Sequence, residues 1–122
     1  MYSKNDKRSI FRYGYRFGYY SVIDIADLKY AVLDVSVSAV KLRNPNHDKM
    51  PQCPFDVDIH FMNKNVVHLT VKKARNDAED VVTLIFLKHL PFNQIMSEEI
   101  YVKKYVAAVS RGDFSDEPVN FE

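Results

Sequence analysis

One cysteine, three glycines and no tryptophan occur among 122 residues, and each scarcity closes off a class of protein. Cys53 has no partner in the chain, so neither an internal disulfide nor a multi-cysteine zinc site can be built, and a reducing compartment is expected. Gly14, Gly18 and Gly112 cannot supply a phosphate-cradling loop or a dinucleotide fingerprint. The longest apolar run, residues 81–87, is broken by Thr83 and falls well short of the ~20 residues a membrane helix needs. The first residues are polar, with no apolar core or cleavage site of a secretion signal. A soluble, cytoplasmic protein without a membrane contact is therefore expected. No repeat and no Gly-, Pro- or Ser-rich linker divides the chain, so residues 1–122 read as a single domain.

What is present is ordinary globular material: 47% hydrophobic and 27% charged residues, enough to bury a core. The formal net charge is +1, but it is unevenly placed. Lys4, Lys7, Arg8, Arg12 and Arg16 face only Asp6 in the first twenty residues, whereas Asp113, Asp116, Glu117 and Glu122 stand without a base in the last ten. Residues 1–10 read as a basic arm and residues 113–122 as an acidic tail.

From Phe11 to Tyr19 every odd position is aromatic and every even one is Arg or Gly, a period of two that predicts a strand over 11–20. Residues 22–30 carry apolar positions at helical spacing behind Ser21, which suggests a short helix. Residues 31–43 alternate, with a phase change at Ala39 that a β-bulge would produce. Strict alternation in 55–62 and 66–73 flanks Asn63-Lys64-Asn65. Apolar odd residues must meet apolar odd residues across that hairpin, so paired numbers sum to an even value. A turn at Asn63–Asn65 satisfies this and sets Phe61 opposite Val67 and His60 opposite His68. Residues 81–90 read as a central strand ended by Pro91, and Ser97-Glu98-Glu99 as the cap of a helix over 98–110 with Lys103 and Lys104 facing outward. The fold class expected is α+β: a mostly antiparallel sheet of four to five strands with a C-terminal helix.

Few residues invite chemistry. His60, His68 and Asp58 on one hairpin face would suit a divalent metal or an acid–base pair, but a third or fourth ligand is not evident, and a solvated face explains them as well. Cys53 with His47 lacks a helix start or Gly-rich turn to activate a thiol. No catalytic residue, metal or cofactor is expected. The strongest candidate is the aromatic-basic strand. Arg12 and Arg16 project opposite the rings of Tyr13, Tyr15, Phe17 and Tyr19, and rings joined to arginines stack bases and neutralise phosphate; a stripe buried in the core or a subunit interface is the competing account.

These readings favour a small non-enzymatic binding protein, a homo-oligomer, that engages nucleic acid through Arg12, Arg16, Tyr13, Tyr15, Phe17 and Tyr19. The alternatives are a protein–protein inhibitor or adaptor, and a binder of nucleotide-type small molecules at a subunit junction. A composition rich in Lys, Asn, Tyr, Phe and Ile suits a viral, phage or mobile-element accessory protein.

Overall fold

A computed structural model describes residues 12–16, 18–78 and 80–110. Among the described residues seven strands precede one helix: β1 (Arg12–Gly14), β2 (Ser21–Ile25), β3 (Leu28–Ser36), β4 (Ala39–Arg43), β5 (Phe55–His60), β6 (Val66–Ala78), β7 (Val81–Phe86) and α1 (Phe92–Ser110). All pairings are antiparallel, and the ring β3–β2–β5–β6–β7–β4 closes because β4 pairs back onto β3. The architecture is thus a closed six-stranded barrel with one outer strand, β1, and a C-terminal helix. The open sheet of four to five strands expected from the sequence is corrected by this closure, which leaves the ring without a free edge.

Two turns account for most of the difference. Residues 22–30 form a hairpin and not a helix: Ile25 pairs with Leu28 around Ala26 and Asp27, whose φ values of 50° and 70° give the left-handed pair of a two-residue loop. Within it Ile23 and Ile25 point into the core, while Val22 and Asp24 are only partly buried. The phase change near Ala39 is likewise a chain reversal, since Val35 pairs with Val40 across Val37–Ser38, and the Ser36 hydroxyl accepts the Ser38 and Ala39 N–H groups at 3.2 Å. The span 31–43 is therefore two strands. A register shift does occur in β3, between Val32 and Asp34.

β6 is longer than the expected 66–73, and two register shifts against β7, at 73–75 and 76–78, bend it. Such irregularities increase local twist and let a sheet curl into a barrel. The hairpin to β5 has the expected parity but a different sum: Ile59 pairs with Val67 and Asp58 with His68. The loop is Met62-Asn63-Lys64, closed by Phe61 N–H to Asn65 O (2.9 Å) and Lys64 N–H to Phe61 O (3.0 Å), with Lys64 at φ 80°. The turn sits one residue earlier than the asparagines suggested, so His60 does not face His68.

Branched side chains fill the barrel: Ile23, Val32, Val35, Val40, Leu42, Ile59, Val71 and Leu84 are completely buried. β7 stops at Phe86, short of the expected Leu90, and α1 begins at Phe92, immediately after Pro91. Pro91 ends the apolar stretch as expected, but the helix starts six residues before the predicted 98. Ser97, Glu98 and Glu99 therefore lie inside it, and Glu98 is buried. Ile95, Val102 and Tyr105 face inward. Among the described residues no helix is long and apolar enough to cross a membrane.

Candidate anion-binding groove

β1 is held to the second half of β3 by the pairs Arg12–Ser36, Tyr13–Val35 and Gly14–Asp34, and Tyr15 N–H extends the ladder to Leu33 O at 2.9 Å. Alternation along this strand leaves Arg12 and Arg16 exposed while Tyr15 is buried. Regular pairing then ends. Gly18 adopts φ 79° in a turn closed by Tyr19 N–H to Arg16 O (3.2 Å), and the chain re-enters the barrel as β2. The expected strand over 11–20 is thus reduced to Arg12–Gly14 followed by a turn, because the glycine supplies a left-handed conformation that a strand cannot use.

The rings are consumed internally. Tyr13 meets Tyr15 edge-on with centroids 5.0 Å apart, and Tyr19 meets Tyr105 of α1 edge-on at 5.2 Å. Burial, reinforced by the charges of Glu98 and Glu99 and opposed by Arg16, raises the Tyr13 pKa. Burial raises that of Tyr15 further, with the Glu98 charge and hydrogen bond adding to it. Phe17 lies outside the described residues.

The two arginines share a groove with the helix. Arg12, Tyr13, Gly14 and Arg16 form one wall, and Glu99, Val102, Lys103, Val106 and Ala107 of α1 form the other, around a volume of about 520 Å³. Lys103, outward-facing as expected, binds Glu99 at 2.7 Å across one helical turn and stays 69% exposed. Among the described lining residues three cations stand against one carboxylate, a net positive balance. Its volume lies within the range of about 300–1,000 Å³ typical of small-ligand sites. Guanidinium pairs bind phosphate oxygens through fork-shaped donor sets, and the apolar residues between them offer a surface for a ring.

Beneath the groove, Glu98 anchors the helix. Its Oε2 accepts the Tyr15 hydroxyl (2.6 Å), the Ser21 hydroxyl (2.9 Å) and the Met62 N–H (2.9 Å), and its Oε1 accepts the Asn63 N–H (3.0 Å). From the sequence this carboxylate was expected in the first turn of the helix, behind a Ser97 hydroxyl cap, at the positive end of the dipole. The helical positions of Lys103 and Glu99 were readable, but nothing in the pattern placed them beside β1.

The histidines lie elsewhere, on the outer barrel face. His60 Nε2 lies 2.9 Å from Asp24 Oδ2, and Lys29 holds the other oxygen of the same carboxylate at 2.8 Å. His68 pairs with Asp58. The imagined His60–His68 constellation is therefore two separate Asp–His pairs, and among the described residues no group of three or more His, Cys, Asp or Glu is placed to hold a metal. Cys53 is exposed, and its Sγ accepts the Lys73 N–H at 3.1 Å.

No family model matches the chain, and no curated protein matches it. The crystal structure of an uncharacterized protein of Legionella is similar, with a TM-score of 0.52 at 13% identity over 83% of this chain and 98% of that one. At that identity the likeness is one of fold.

Proposed function

We propose that the protein is a non-enzymatic binding protein whose β1–α1 groove takes a small phosphate-bearing ligand of nucleotide type. The observation that carries this reading is the convergence of Arg12, Arg16 and Lys103 on one ligand-sized groove beside the half-buried Tyr13. The arginines would take phosphate oxygens, Lys103 would exchange Glu99 for the ligand, and Tyr13, Val102 and Val106 would flank the sugar or base. Both described walls of the groove come from one chain.

Single-stranded nucleic acid draws on the same arginines but requires exposed rings on which successive bases stack. Tyr15 is buried against Glu98 and Tyr19 is packed on Tyr105, which favours a compact ligand over a polymer. The test is calorimetric titration with pyrophosphate, nucleoside mono- to triphosphates, linear and cyclic dinucleotides, and a twelve-base oligonucleotide. A phosphate-bearing small ligand is expected to bind, and a well-folded R12E/R16E double variant to lose it. Retention of binding by that variant would overturn the reading. Preference for the oligonucleotide with a steep salt dependence would restore nucleic acid.

A further inference from the structure

We infer that the acidic segment 113–122 docks into the β1–α1 groove and is the occupant that an anionic ligand must displace. One groove wall consists of α1 from Glu99 to Ala107, and α1 ends at Ser110, about one helical turn past the groove, with the acidic segment starting three residues further along the sequence. Its four carboxylates, on Asp113, Asp116, Glu117 and Glu122, stand without a base, opposite a groove in which Arg12, Arg16 and Lys103 outnumber Glu99. Phe114, Val119 and Phe121 lie among the acids in sequence and match in apolar character the surface of Tyr13, Val102 and Val106.

Reach is ample. Glu99 to Ala107 spans about 12 Å of helix at ~1.5 Å per residue, whereas ten extended residues cover up to about 33 Å. Pro118 biases Glu117 toward extended backbone, as a segment lying along a groove requires. A segment tethered so closely acts at millimolar effective concentration, so even a weak intrinsic contact is populated. The inference depends on the groove's cations and not on the nucleotide reading.

The 122-residue chain and its D113N/D116N/E117Q/E122Q variant provide the test. At low salt, backbone ¹⁵N relaxation of the wild type is expected to give order parameters for residues 113–122 close to the ~0.85 of rigid backbone, falling below ~0.6 in the variant and in R12E/R16E. Carbodiimide coupling followed by mass spectrometry is expected to join Lys103 to Asp113, Asp116 or Glu117. Order parameters below ~0.6 in the wild type would overturn the inference, as would coupling of the segment solely to Lys4 or Lys7. Pyrophosphate is expected to bind the neutralised variant about tenfold more tightly than the wild type, and measurable but equal affinities would also overturn it. Failure of pyrophosphate to bind either chain counts against the nucleotide reading alone, because the order parameters decide docking by themselves.

Discussion

The Tyr15 hydroxyl donates to Glu98 Oε2 at 2.6 Å, joining residues 83 positions apart around a carboxylate with no solvent exposure. A buried carboxylate is tolerated only when its lone pairs are taken, and Glu98 receives two hydroxyls and two backbone N–H groups. Glu98→Ala leaves the Met62 and Asn63 N–H groups unpaired and the Tyr15 and Ser21 hydroxyls with only each other, and a loss of about 1–3 kcal/mol for each buried donor left unsatisfied is expected. Glu98→Gln should recover only part of this. Both oxygens accept a backbone N–H, so the amide nitrogen must oppose one donor wherever it is placed. Tyr15→Phe should cost about 1–3 kcal/mol. Urea denaturation of the three variants checks the order Ala, then Gln, against the wild type; equal stability of Glu98→Ala and wild type would refute the anchor.

The two glycines of the N-terminal segment should behave differently. Gly18 sits at φ 79°, where a Cβ costs about 1–2 kcal/mol. A Cβ on Gly14 meets only the Asp34 Cβ at 4.0 Å, an ordinary contact. Gly18→Ala is therefore expected to lower the thermal midpoint, and Gly14→Ala to leave it nearly unchanged. A larger loss for Gly14→Ala would mean that the turn at Arg16–Tyr19 is not where the strand ends.

Legibility followed the physics of each element. The alternation in 55–60 and 66–71 was readable because one barrel face is apolar and the other wet, and parity followed from it. The sum was not, because shifting the turn by one residue changes it by two and preserves every face. Lys64, a residue with no special left-handed preference, takes the φ 80° position that the flanking asparagines appeared to claim. The hairpin at Ala26–Asp27 was hidden in the same way, since alanine rarely occupies a left-handed turn position. In β1 and just beyond it, the exposure of Arg12 and Arg16 was legible because period two separates them from the ring face that carries the half-buried Tyr13 and the buried Tyr15. Lys103 and Glu99 could be placed on a helix but not beside β1, which is a fact of packing between elements whose nearest ends are 78 residues apart in the chain. Glu98 was misread because an acid beside a serine resembles a helix start, and burial of a carboxylate leaves no signature in hydropathy.

The corrected register makes a pairwise prediction. His60 contacts Asp24 and His68 contacts Asp58, so a double-mutant cycle of D24N with H60A should show coupling, whereas H60A with H68A should be additive within about 0.5 kcal/mol. Both histidine side chains are substantially exposed, 42% and 80%, so each single loss should be small. Clear coupling between His60 and His68 would restore the register that sets them face to face.

The same Asp24 sets a pH dependence whose sign can be worked out. Partial burial by itself would raise its pKa, but the hydrogen bonds from Lys29 and His60 and their charges outweigh this and hold it below the ordinary carboxylate value. A carboxyl whose folded pKa is depressed binds protons less readily in the folded chain than in the unfolded one, and so favours folding wherever it is ionised. That contribution is complete above the unfolded value of about 4 and disappears as pH falls through the lower folded value. Asp24→Asn removes the charge and with it the dependence. The wild type should therefore melt above the variant at pH 5, with a gap that closes progressively below about pH 4. Raising the salt concentration at pH 5 should narrow the gap, since Asp24 and Lys29 are 26% and 62% exposed and their attraction is screened. Thermal melts of both chains from pH 2 to pH 5 make the comparison; a gap that widened as pH fell below about 4 would show that desolvation, and not the two partners, governs this carboxylate.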